Sequence, residues 1–140
     1  MDVLEKYPPA LQKEIRSQFR ELMRICGDEY DKRSLSLIKK SFAFLLDQAD
    51  VHQELHGMHL AVFSAGLARM SVKELGMDAI GVSAALLLHC VELNQIPARE
   101  VVSGAGQRIA TVIGEVVKIG HLDTANTRGQ AENMRNLIHI

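Results

Sequence analysis

Tryptophan is missing from this 140-residue sequence, and the aromatic residues amount to four Phe and two Tyr. A core without aromatic bulk must be filled with Leu, Val, Ile, Ala and Met, a composition that favours helices over an aromatic-rich sheet. Cysteine is scarce too. Cys26 and Cys90 stand in apolar helical contexts with no metal-binding or CxxC spacing, and one disulfide between them is allowed on count alone. Both are expected to be buried free thiols in a reducing compartment. Charge of either sign is not in excess: the formal net charge is −1, so composition gives no electrostatic case for nucleic acid or an anionic membrane. No apolar run approaches the ~18 residues of a membrane span, and the opening MDVLEKYPPALQKE is no signal peptide. The expectation is a soluble, cytoplasmic protein. A nucleophile elbow and a phosphate-cradling glycine loop are also missing.

What is present is a 47% hydrophobic content in a 15.5 kDa chain, enough for one domain over residues 1–140 with a core of its own. Pro8 and Pro9 open a first helix whose Leu11, Ile15, Phe19 and Leu22 recur at spacings of four and three, and Gly27 stops it. Asp31 or Ser34 caps a second, with Leu35, Ile38, Phe42, Leu45, Leu46 and Ala49 on its apolar face. A helix from Leu60 to Leu75 ends at Gly76, and Asp78 caps the next. Pro97 starts a short helix, PAREVV, which Gly104 ends. Gln107 to Ile119 is β-branched but helically spaced, so a strand is the competing reading. After the polar GHLDTANTRG, a last helix starts near Gln130 with Ala131, Met134, Leu137 and Ile138 on one face. The expected architecture is an all-α bundle of about seven helices.

Two constellations could carry chemistry. The first lies in the most apolar run, Val82–Asn94, VSAALLLHCVELN, where His89 and Glu92 stand one turn apart on one helix face. They could be metal ligands, or His89 could hold the bundle together by donating to a carbonyl. The second is VHQELHGMH. A continuous helix there would align His52, His56 and His59, joined by Glu54, and three imidazoles on one face can bind zinc or nickel. The competing reading is a partly exposed polar face or loop, since Gly57 disfavours the helix by ~1 kcal/mol. His121 and Asp123 could approach either group. Arg128, Arg135 and Lys118 could meet a phosphate but do not cluster in the sequence.

The order of these pieces resembles a known family. ELGMDAIGVSAALLLHCVELN is similar to the segment of RelA/SpoT homologues that carries the HD motif in an "AALLHDvvEDT" pattern. GQRIATVIGEVVKI resembles the family's "FG.eva.lv.gvtKi" helix and QAENMRNLI its "QAENfRkLl" helix, so the likeness runs from about Lys73 to Ile138. The first ~50 residues match only loosely.

The resemblance implies an HD-domain-like all-α fold that, in the family, holds Mn²⁺ and removes the 3′-pyrophosphate from (p)ppGpp. A following domain in the family makes the same alarmone from ATP and GTP. Carried over position by position, most of that equipment is lost. Ungapped alignment puts Leu88 at the HD histidine and His89 at the HD aspartate, while the family's Glu-Asp pair falls on Glu92 and Leu93. The earlier ligand histidine falls on Ala49, or on His52 if the following loop is shorter. DVHQELHG supplies none of the basic residues that the family's loop offers to the nucleotide, and the last ligand aspartate would lie beyond Ile140.

His52, His89 and Glu92 are thus vestigial metal-ligand candidates, of which only Glu92 retains the family's residue type at its own position. The expectation is a catalytically silent domain with no cofactor of its own, binding Mn²⁺ only if the site survives. The parent is expected to be a GTP pyrophosphokinase of the stringent response, whose synthetase domain is the partner. The last helix lacks a terminator, which predicts a fragment of a longer chain. Two alternatives are a working metal-dependent phosphohydrolase rebuilt from His52, His56, His59, His89 and Glu92, and a non-enzymatic guanine-nucleotide sensor.

Overall fold

The structure, a computed structural model, describes residues 2–118. After a single 3-10 turn, Asp2–Leu4, come α1 (Pro9–Gly27), α2 (Lys32–Gln48), the minimal strands β1 (Glu54–Leu55) and β2 (Met58–His59), α3 (Leu60–Lys73), α4 (Ala79–Leu93) and α5 (Ala98–Ala105). Residues 107–118 are helical and are called α6. The chain is therefore mostly helical, with one two-stranded antiparallel sheet that pairs Glu54 with His59 and Leu55 with Met58. The seventh expected helix, near Gln130, lies outside the described residues. No helix among the described residues is long and apolar enough to cross a membrane.

The helix starts follow capping chemistry. Pro9 occupies the first turn of α1, where a missing N–H costs nothing. Asp31 caps α2 by accepting from the Ser34 amide at 2.8 Å, which decides between the two expected caps. Asp78 caps α4 by accepting from the Gly81 amide at 2.9 Å. Gly76 takes φ +59 just past α3, as expected, although the helix itself closes at Lys73.

One boundary differs. Gly104 does not end α5; the helix runs on to Ala105 and stops at Gly106, whose φ of +109 suits glycine. Residues 107–118 are helical rather than extended, so the strand reading fails there.

α4 forms the axis of the bundle, making its most extensive contacts with α2 and α3. Its apolar residues are distributed round the helix, as a surrounded helix requires. Val82, Leu86, Leu87 and Cys90 are fully buried, and they meet Ile38, Phe42, Leu45 and Leu46 of α2 and Leu60, Ala65 and Ala68 of α3 in one cluster. α1 closes one side through Ile15 and Leu22, while α6 adds Ile109 and Ile113. Both cysteines are free and buried, and burial pushes each thiol up to about 11, so neither is a thiolate at neutral pH.

The N-terminal turn is pinned to the end of α2 by contacts that periodicity does not reveal. The Tyr7 hydroxyl donates to the Leu46 carbonyl at 2.6 Å, and Lys6 Nζ donates to the carbonyls of Asp47 and Ala49 at 3.0 and 2.8 Å.

Candidate functional site

Successive residues on an α-helix point about 100° apart, so Leu88 and His89 look out on different surroundings. Leu88, half-buried, lines an apolar cleft of about 250 Å³ with Leu67, Ala85 and Val112 among its walls. His89 instead turns its ring edge to Phe63 of α3, with centroids 5.2 Å apart and planes at 82°. The His56 ring lies 5.2 Å from the same Phe63. Phe63 thus contacts two histidines from different segments, a grouping invisible in the spacing of the sequence.

The Nδ1 of His89 is buried and has no hydrogen-bond partner. The expected hydrogen bond from His89 to a carbonyl does not form there; the ring is held by aromatic packing. Burial pushes the His89 pKa below the ordinary value, with a smaller contribution from His56, while Glu92 pulls in the opposite direction. Glu92 itself is exposed, one turn further along α4.

The aligned histidine helix does not exist. VHQELHGMH folds as a turn and a hairpin, because His56 and Gly57 both adopt positive φ, +53 and +81, between β1 and β2. Two positive-φ residues in a two-residue loop match the right-handed twist of a tight hairpin.

This turn separates the three histidines by role. His59 is buried and caps α3: its Nδ1 accepts from the Ala61 amide at 3.0 Å. Its Nε2 therefore carries the proton and donates to the Asp50 carbonyl at 2.9 Å. With both nitrogens engaged, and Tyr7 edge-on at 5.3 Å, His59 has no lone pair left for a metal. His52 is exposed, and its backbone amide donates to Asp50 Oδ1 at 2.9 Å. It lines a cleft of about 360 Å³ with Glu14 and Glu54.

Among the described residues, no three His, Cys, Asp or Glu side chains form a group that could hold a metal ion. His52, His89 and Glu92 are not gathered into one. His121, Asp123, Arg128 and Arg135 lie outside the described residues, and Lys118 is an exposed residue of α6. Comparison with family models, with curated proteins and with solved structures returns no match.

The environment of His89 makes a prediction about stability. A base whose folded pKa is depressed is favoured in its neutral form by the fold. The unfolded chain then binds more protons than the folded one below the ordinary histidine pKa of about 6.5. The His89 contribution is intact above that pH and is lost as pH falls toward the lowered folded value. Urea midpoints taken at about pH 7.5 and about pH 5.5 should therefore drop more in the wild type than in His89→Leu. Equal drops in the two proteins would show that His89 titrates as a solvated residue.

Proposed function

We propose that this chain is a catalytically silent HD-type domain of a RelA/SpoT-like protein. It serves as a regulatory or scaffolding partner of the synthetase domain in a cytoplasmic GTP pyrophosphokinase. The reading includes an HD-like arrangement of about seven helices, the last starting near Gln130. The observation that carries it is the setting of Leu88 and His89 on α4. The position aligned with the family's metal-binding histidine is a leucine lining an apolar cleft, and the position aligned with its aspartate is an imidazole packed on Phe63.

Physical chemistry supports the loss of function at such a position. A divalent metal acting on a phosphate ester needs several nitrogen and oxygen donors at once. Disturbing even a supporting partner of a ligand costs ~10–100-fold in metal affinity or activity. Leu88 removes a donor outright and puts hydrocarbon in its place. The engagement of both His59 nitrogens within the fold also counts against a site rebuilt from the hairpin histidines.

Metal analysis tests the reading. Protein purified without chelator and then incubated with Mn²⁺ should carry far less than one ion per chain, and Mn²⁺ should leave its melting temperature unchanged. Stoichiometric Mn, Fe or Zn would contradict silence and favour a working phosphohydrolase.

A further inference from the structure

The vestigial positions are not where positive charge converges. One face of α2 presents Arg33, Ser36, Leu37 and Lys40 at i, i+3, i+4 and i+7, the spacing of a single stripe. All four line a cleft of about 460 Å³, and Arg108 of α6 enters it from the other end of the sequence. Arg33, Leu37, Ile80 and Arg108 also line an adjoining cleft of about 490 Å³, so the two lobes share both arginines. Volumes of this size are those of small-molecule sites.

Three cations here face one carboxylate, Asp78, which is already occupied in capping α4. Among the described residues the one ion pair is Arg24–Glu21, so none of Arg33, Lys40 and Arg108 has a described carboxylate within 4 Å, although exposed Asp31 is near enough to Arg33 to feel its charge. Like charges placed around one concavity repel, and binding an anion relieves that repulsion. Leu37 and Ile80, both half-buried, give the groove an apolar floor between the charges. Ser34 and Ser36 add hydroxyl donors beside it.

We infer that this groove binds a small phosphate-bearing anion. The ligand class is a molecule with two linked or neighbouring phosphates and an apolar or planar portion. Arg33 and Arg108 take phosphate oxygens through their planar, two-pronged guanidinium groups, and Lys40 adds a point charge. Leu37 and Ile80 carry the organic part of the ligand. The site shares no residue with His52, His89 or Glu92, and it stands or falls apart from catalytic silence. The α2 stripe is legible in the sequence, but its meeting with Arg108 exists only in the fold.

Calorimetry on the intact chain, without metal and at about 50 mM NaCl, tests the site with pyrophosphate, GTP and guanosine as separate titrants. Pyrophosphate should bind once per chain, GTP at least as tightly, and guanosine should give no heat. The double variant R33Q/R108Q should weaken pyrophosphate binding at least tenfold, because a hydrogen bond to a charged group is typically worth about that factor. Both arginines are exposed, so the fold should survive, and an unchanged circular dichroism spectrum confirms that it has. The exposed α1 variant Arg20→Gln should bind as the wild type does. No heat with about 5 mM pyrophosphate, or equal affinity in R33Q/R108Q, would overturn the inference. Binding of single-stranded RNA that pyrophosphate fails to displace would overturn it in favour of a nucleic-acid surface. Metal content and hydrolysis report on the separate question of silence and do not depend on Arg33 or Arg108.

Discussion

Leu86→Ala should destabilise the domain by about 2–5 kcal/mol, the range for a Leu truncated in a rigid core. Leu86 is fully buried at the middle of α4, the helix in contact with both α2 and α3. A void at that point cannot be closed by a shift on one side without opening a gap on the other. Leu88→Ala, two residues along, should cost only about 1 kcal/mol, because Leu88 is half-buried on an open cleft and loses a fraction of the burial energy. Urea unfolding followed by circular dichroism checks the pair, since the chain has no tryptophan for fluorescence. A midpoint loss at Leu88 equal to that at Leu86 would mean that α4 is rotated from the orientation described.

Gly104→Val should cost about 3 kcal/mol or more through overpacking. A Cβ at Gly104 would lie 2.8 Å from Cγ of Phe44 and closer still to Cδ2 and Cε2, so α5 seats on α2 only because position 104 has no side chain. Gly104→Ala is the diagnostic case. It recovers up to ~1 kcal/mol of helix propensity, but the same clash, about 1–3 kcal/mol, outweighs it. Removing the ring should reverse the sign. In a Phe44→Ala background, which removes Cγ and the ring together, Gly104→Ala should be neutral or stabilising, and the double-mutant cycle should give a coupling of about 1 kcal/mol or more. Additive effects would show that Phe44 swings clear of the clash.

That glycine also marks what the sequence could not convey. Read along the chain, Gly104 has the signature of a helix terminator, and Gly106, two residues later, has the same one. Only Gly106 takes a positive φ; Gly104 is there for Phe44, a neighbour 60 residues distant in sequence. Local signals were legible wherever the chemistry is local. Asp31 and Asp78 cap the helices expected of them, Pro9 starts α1, and the long apolar runs before Gly76 and after Asp78 marked α3 and α4.

The histidine stretch resolves in favour of the loop reading that Gly57 suggested. The i, i+4, i+7 spacing of His52, His56 and His59 satisfies a helix, but His56 and Gly57 satisfy a hairpin turn better once β1 and β2 pair. Tertiary partners then gave each ring a different role. His59 found Asp50 and Ala61, while His56 found Phe63. The partners of His59 stand at no helical spacing from it, and His56 meets Phe63, seven residues on, across the hairpin turn rather than along a helix. The convergence of Arg108 on the α2 stripe escaped for the same reason.

The proposed catalytic silence of α4 has a direct assay. The protein is incubated with ppGpp and Mn²⁺, and released pyrophosphate is measured beside an intact hydrolase of the RelA/SpoT type. With Leu88 and His89 in place, pyrophosphate release should not rise above the enzyme-free control. Turnover within about tenfold of the intact hydrolase, a difference of only ~1.4 kcal/mol in barrier, would contradict the account.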